Sequence, residues 1–249
     1  MLLQDQVAVI TGAASPRGIG KATARLLAAH GARVAILDLQ HAAATEAARD
    51  VGDEHRGYAC DVSKLAQCRA AVGAVLKDFG QIDILLNIAG ITQPATTLEI
   101  TEANFDAISD VNLKGTLFMC QAVIPHFQER HSGSIICMSS VSAQRGGGIF
   151  GGAHYSAAKA GILGLMKAMA GELGPDNIRV NAISPGLIQT DITRGSLPEA
   201  RKQEIAGSIP LRRLGDPDEV ARVCLFLASD LSSYISGATV DVNGGMYMR

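Results

Sequence analysis

The chain has 249 residues and a mass of 26.0 kDa, with 22 Lys and Arg against 24 Asp and Glu and a formal charge of −2. This length suits one large α/β domain or two small ones, and 47% hydrophobic against 18% charged residues excludes general disorder. The charge balance offers no basic footprint, so nucleic acid is not an expected partner.

The five cysteines, Cys60, Cys68, Cys120, Cys137 and Cys224, lack the paired spacing of a disulfide scaffold or zinc site, which reads as free thiols in a reducing compartment. No apolar run reaches the ~18 residues of a membrane span and the start of the chain carries no leader pattern, so no membrane association and a cytoplasmic location are expected. His41, His55, His126, His131 and His154 form no metal-ligand motif, and no metal is expected. The 27 glycines beside four Tyr, six Phe and no Trp suggest an aliphatic core and close backbone approaches around a flat ligand.

In chain order, a strand over Val7–Thr11 meets a glycine-rich turn and a helix over 19–30. A second strand over 33–37 ends at Asp38 and a helix follows over 41–50, a βαβ opening. The pattern repeats as a strand over 58–62, a helix over 64–79 and a strand over 82–86. Helices are predicted over 101–128 and 153–173, with strands over 134–139, 178–184 and 238–242. Seven strands, predominantly parallel and covered by helices on both faces, make a doubly wound α/β domain spanning 1–249. The Gly, Pro and Arg-rich region 187–215 interrupts the alternation and reads as a flap over a pocket, not a second domain.

The first turn, T-G-A-A-S-P-R-G-I-G, places Gly12 to turn beneath a nucleotide, Gly18 to let phosphates approach and Gly20 to pack helix on strand. With Ile19 it opens a helix whose free N–H groups suit a pyrophosphate, although a plain tight loop is the alternative. Asp38, followed by Leu39, closes the second strand 18 residues after Gly20, where a carboxylate accepts hydrogen bonds from a ribose. It favours NAD over NADP because a 2′-phosphate would bring a second negative charge beside it; Arg17 weakens that preference. Asp61 and Val62 are candidates for the adenine region, with a surface turn as the other reading of Asp61.

Tyr155 and Lys159, as Y-S-A-A-K, lie at i and i+4 on one helix face. A tyrosine exchanges a proton with a carbonyl or alcohol oxygen if its ordinary pKa of about 10 is lowered, and the Lys159 charge favours that. Ser140 ends a strand and suits the substrate oxygen, or a plain strand-edge cap; Asn112 suits a water beside Lys159, or a structural role.

With these parts in this order the chain resembles the short-chain dehydrogenase/reductase family over essentially its full length. The resemblance rests on the first turn, N-I-A-G at 87–90, Asn112, Ser140, Y-S-A-A-K at 155–159 and P-G-L-I-Q-T at 185–190. It implies a Rossmann-like single domain, hydride transfer with a nicotinamide cofactor and a catalytic group of Asn112, Ser140, Tyr155 and Lys159. It also implies a cofactor wall of Asn87, Ala89 and Gly90, and a nicotinamide border of Pro185, Gly186, Leu187, Ile188 and Thr190. A homotetramer is implied as well, through the helices at 101–128 and 153–173.

Three departures from the family pattern stand out. The first turn is two residues longer, Ile88 replaces a second Asn, and Ser140 precedes Tyr155 by 15 positions where the family more often has 13. Ser142 stands 13 before Tyr155, but Ser140 is preferred, with the glycines of 146–152 absorbing the extra length.

The expected activity is NAD-dependent interconversion of a secondary alcohol and its carbonyl. Gln93, Ser140, Ser142, Gln144, Arg145, His154, Tyr155, Gln189 and Ile192 form a mixed polar pocket that suggests a polyol, sugar or other small hydroxylated substrate. The alternative is an NADPH-dependent 3-oxoacyl-[acyl-carrier-protein] reductase, and a remote one is a non-catalytic nucleotide-binding interaction protein.

Overall fold

The computed structural model describes residues 1–147, 151–191 and 198–248. Among these, the strands are β1 (Val7–Thr11), β2 (Arg33–Asp38), β3 (Arg56–Ala59), β4 (Ile84–Asn87), β5 (Gly133–Met138), β6 (Ile178–Pro185) and β7 (Thr239–Val242). The helices are α1 (Ile19–Ala29), α2 (His41–Arg49), α3 (Leu65–Phe79), α4 (Glu102–Ser109), α5 (Gly115–Arg130), α6 (Ser142–Arg145), α7 (Ala153–Leu173), α8 (Glu199–Ser208) and α9 (Pro217–Ala228). All strands lie in one sheet of order β3-β2-β1-β4-β5-β6-β7, and every neighbouring pair is parallel.

Successive side chains of a strand face opposite sides, so a strand buried on both sides reads as an unbroken apolar run. In β1, Val7 and Val9 enter a core shared with Cys68 of α3, Met119 of α5 and Ile162 of α7. Ala8 and Ile10 enter the opposite core with Leu27 of α1, Ala47 of α2 and Val220 of α9. Helices thus cover both faces, and the chain is a single-domain Rossmann-like doubly wound fold. Packing is close: Phe127 is fully buried, and a Cβ on Gly133 would come within 2.4 Å of its ring. Truncating such a ring to Ala costs about 3–5 kcal/mol.

Sheet order reverses between β1 and β4, and this switch point opens a crevice beyond their C-terminal ends. Thr11 fixes its floor: Oγ1 accepts from Ile88 N–H and Ala89 N–H, each at 3.1 Å, and donates to the Leu86 carbonyl at 3.4 Å.

Several boundaries differ from expectation. The third strand occupies Arg56–Ala59, not 58–62, because its ladder partner β2 ends at Asp38 opposite Ala59. The helix predicted over 101–128 is two helices joined by a π turn over Asp110–Lys114. Region 187–215 contains α8 and is closed at its base by a bridge: Gly215 N–H donates to the Leu187 carbonyl at 3.0 Å and Gln189 N–H to the Gly215 carbonyl at 2.9 Å. Helix α9 was not predicted, although its start carries a readable signal: an Asp216 N-cap, Pro217, and Glu219 returning to the cap in a capping box.

Candidate active site

The nucleotide end is built from glycines that permit contacts no side chain would allow. Gly12 has φ +67°, and a Cβ there would lie 2.6 Å from Ala89 Cα; on Gly20 it would lie 2.6 Å from the Gly12 carbonyl. Gly18 caps α1 without a side-chain hydrogen bond, leaving first-turn N–H groups available to a phosphate. Asp38 accepts from Ala14 N–H at 3.0 Å and Leu39 N–H at 2.8 Å, so its carboxylate is pinned beside the turn. Arg17 does not reach toward Asp38; it is paired with Asp191.

The other cofactor candidates divide. Asp61 accepts from the N–H and hydroxyl of Ser63, at 2.9 and 2.7 Å, and shapes the approach to α3. Val62 is buried, 2.7 Å from where a Cβ on Gly115 would stand. Asn87 turns inward, its Nδ2 3.4 Å from Cys120 Sγ. Ile19, Gly90, Pro185, Gly186, Leu187, Ile188 and Thr190 line one cavity of about 700 Å³ together with Asn112, Ser140, Tyr155 and Lys159.

The catalytic candidates come from three elements. Ser140 follows β5, and its Oγ accepts from Ser142 N–H at 3.1 Å and is hydrogen-bonded to the Tyr155 hydroxyl. Ser142 stands behind Ser140, to which its backbone N–H donates, and both serines line the same cavity. Lys159 is buried one helical turn beyond Tyr155, with Nζ 5.7 Å from the tyrosine ring centre and donating to the Met138 carbonyl at 2.8 Å. Asn112 lies in the π turn, its Nδ2 donating to the carbonyls of Ile91 at 3.0 Å and Ile108 at 2.9 Å, while its buried Oδ1 has no partner. The glycine cradle, the Asp38 carboxylate beside it and the unpartnered Asn112 acceptor are a set that fits a nicotinamide dinucleotide.

Burial sets the protonation states. It pushes the Tyr155 phenol up, with the Ser140 hydrogen bond as a smaller opposing effect, and it pushes Lys159 down to about 8. The expected lowering of the tyrosine is therefore corrected: desolvation outweighs the hydrogen bond, and Tyr155 holds its proton.

All three glutamines expected in the pocket are tied elsewhere. Gln93 accepts from Asn104 Nδ2 at 3.0 Å, Gln144 donates to Asp241 at 2.7 Å and Gln189 donates to Asp216 at 3.3 Å; none lines the cavity. His154 is buried with both ring nitrogens unpartnered and also stays off its wall. Ser142 and Arg145 do line it, and Ile192 lies outside the described residues. Two supports escaped the sequence reading. Ser139 Oγ donates to the Lys159 carbonyl at 2.8 Å, for which the Ser139-Ser140 pair was a signal. Asp191 had no signal, because its partners lie some 174 positions away. Among the described residues no cluster could hold a metal, and no helix is long and apolar enough to cross a membrane.

Comparison with known proteins agrees with this architecture. Residues 12–247 match the family model described as enoyl-(acyl carrier protein) reductase. The chain is 58% identical, over all of both chains, to an uncharacterised short-chain type dehydrogenase/reductase of Sinorhizobium fredii. It is 41% identical to a 3-oxoacyl-[acyl-carrier-protein] reductase of Thermotoga maritima over 99% of each, and 39% identical to a D-threitol dehydrogenase of Mycolicibacterium smegmatis over 99% of this chain and 95% of the other. A crystal structure of a Brucella melitensis 3-ketoacyl-(acyl-carrier-protein) reductase complexed with NADH superimposes with TM-score 0.90 at 37% identity, over 99% of this chain and all of the other. With fold, switch-point crevice and full-length relatives in agreement, the chain belongs to the short-chain dehydrogenase/reductase family and is an oxidoreductase of that type.

Proposed function

We propose that the chain is an NADH-linked reductase that converts the 3-carbonyl of an acyl thioester to a secondary alcohol. The observation that carries this reading is the half-buried Tyr155, which shares one cavity of about 700 Å³ with Ser140 and has the Lys159 ammonium 5.7 Å from its ring centre. Bound NADH would supply the hydride, held by the glycine turn, Asp38 and the Pro185–Thr190 border. Tyr155 gives its proton to the oxygen as negative charge develops there, Ser140 holds that oxygen by a hydrogen bond, and the Lys159 ammonium stabilises the phenolate left behind. Asn112 offers its free Oδ1 to a water that can return a proton toward Lys159.

The acyl substrate replaces the polyol as first choice for a physical reason. The glutamines behind the polyol reading face elsewhere, whereas Ile205 and Met246, outside the nicotinamide border, give the cavity apolar surface suited to an acyl chain. The Thermotoga and Brucella relatives carry the same reading in their names. NAD rather than NADP is favoured by Asp38 and by the NADH bound to the Brucella relative. Polyol oxidation is the second reading, supported by the D-threitol dehydrogenase relative. The non-catalytic reading is dropped, since the chain is an oxidoreductase of this family. A homotetramer is proposed too, with the exposed Leu98 and Phe105 near α4 as apolar contact points; light scattering would test it.

The deciding assay follows absorbance at 340 nm with acetoacetyl-coenzyme A plus NADH, and with D-threitol plus NAD. Thioester reduction is expected to dominate in kcat/KM. Threitol oxidation without thioester reduction would install the polyol reading instead.

A further inference from the structure

The first turn is two residues longer than its family pattern, and the added length is strung between two carboxylates. At its inner end Ala14 N–H donates to Asp38 Oδ2 at 3.0 Å. At its outer end Asp191, the residue after Thr190, is met by Ser15 and Arg17. Asp191 Oδ2 accepts from the Ser15 hydroxyl at 2.9 Å and from Arg17 N–H at 3.1 Å. Oδ1 accepts from Arg17 Nε at 2.6 Å and lies 2.6 Å from its Nη2.

Such a contact exceeds an ordinary surface ion pair. An isolated exposed pair fixes little, because two long side chains lose freedom for one screened attraction. Here the carboxylate is anchored by a backbone N–H and a hydroxyl as well as the guanidinium, so its position does not depend on Arg17 alone. Arg17 is the one basic residue between Gly12 and Gly20. The next, Lys21, is buried and committed to the Ala47 carbonyl at 2.7 Å and Asp50 at 3.0 Å. To serve a phosphate beside Asp38, Arg17 must give up its hydrogen bond and ion pair with Asp191.

We propose that Asp191 is a cofactor-specificity residue: by binding Arg17 at the far end of the enlarged turn it denies a ribose 2′-phosphate the turn's only basic side chain. Asp38 repels the extra phosphate, and Asp191 withholds the group that would otherwise attract it. The inference rests on the NAD reading above and adds the device that keeps Arg17 from eroding it.

The test is direct binding, read from the fluorescence of NADH and NADPH titrated with the intact protein. Wild type, Asp191→Ala, Asp191→Asn, Asp191→Glu, Arg17→Met and the Arg17→Met/Asp191→Ala double variant are compared, each checked for a cooperative thermal transition. Asp191→Ala is expected to raise affinity for NADPH relative to NADH by about tenfold. Asp191→Asn shifts the ratio the same way while keeping the side chain's shape, and it stands in should the alanine variant fail to fold. Asp191→Glu keeps the wild-type ratio, and the gain disappears when Arg17 is also replaced, since the coupling runs through that side chain.

An Asp191→Ala or Asp191→Asn protein that loses affinity for both nucleotides in proportion, with the ratio unchanged within about twofold, would overturn the inference and leave Asp191 as a brace for the turn. Persistence of the gain without Arg17 would overturn it as well. A wild-type chain that binds NADPH more tightly removes the NAD reading and this inference together. NADH preference with an unmoved Asp191 variant removes the inference alone.

Discussion

Gly90 stands where a Cβ would come within 2.7 Å of Asn112 Oδ1 and 3.4 Å of Lys159 Nζ. The glycine therefore keeps open the space shared by the unpartnered acceptor and the buried ammonium. Gly90→Ala should push the Asn112 side chain off its two carbonyl partners. Overpacking of this kind costs about 1–3 kcal/mol, and kcat should fall at least as steeply as the melting temperature suggests. Unchanged kcat with an unchanged melting curve would show that the contact relaxes freely.

Tyr155→Phe removes the proton donor and one partner of the Ser140 hydrogen bond while keeping ring and burial. We expect kcat to drop by about 10²–10⁴-fold, with NADH affinity within about threefold of wild type. Single-turnover absorbance and a binding titration separate the two. Retention of a tenth of the activity would assign the proton to another group.

The pH dependence follows from burial. Lys159 is charged below about 8 and neutral above it, while the raised Tyr155 keeps its proton across that interval. Reduction needs both the tyrosine proton and the lysine charge, so kcat/KM for reduction should be level below about 8 and decline as pH rises through it. A profile that rises through this region would contradict the assignment.

Lys159 also bears on stability. Its pKa is depressed in the folded chain, so between about 8 and its ordinary value of 10.5 the unfolded chain binds more protons, and stability from this group rises with pH over that interval. The destabilisation is present in full below about 8. Lys159→Met should abolish turnover yet raise stability at neutral pH by about 1–2 kcal/mol, after loss of the hydrogen bond to Met138. Denaturant melts at neutral and alkaline pH would show the gain shrinking as pH rises.

Asp38→Asn keeps the side chain's size but exchanges one acceptor oxygen for a donor facing a backbone N–H. NADH affinity should fall about tenfold and discrimination against NADPH should weaken, measured as the ratio of dissociation constants. An unaltered ratio would move cofactor choice away from the end of β2.

Much of this protein was legible one residue at a time. The unbroken apolar runs of β1, β2 and β5 announce strands buried on both faces, and the glycine turn between β1 and α1 marks the nucleotide end, because period and backbone freedom are local properties. The Y-S-A-A-K spacing likewise places Tyr155 and Lys159 on one helix face without reference to the rest of the chain. Asp216, Pro217 and Glu219 mark the start of α9 just as locally.

Other decisions needed the tertiary structure. Where β3 stops depends on β2, and Asn112, in the π turn at Asp110–Lys114, finds one of its two carbonyl partners at Ile91, 21 positions away. Gln93, Gln144 and Gln189 looked like pocket residues from their loops, and each proved to have a partner elsewhere. The protonation of Tyr155 and Lys159 follows from desolvation, which no spacing records, and Arg17 meets Asp191 because the all-parallel sheet sends the segments after β1 and β6 out over the same C-terminal edge. Sequence by itself determined the local periods, turns and i, i+4 faces, because these are set within a few residues. Only the tertiary structure decided partners, solvation and charge, because those arise between groups far apart in the chain.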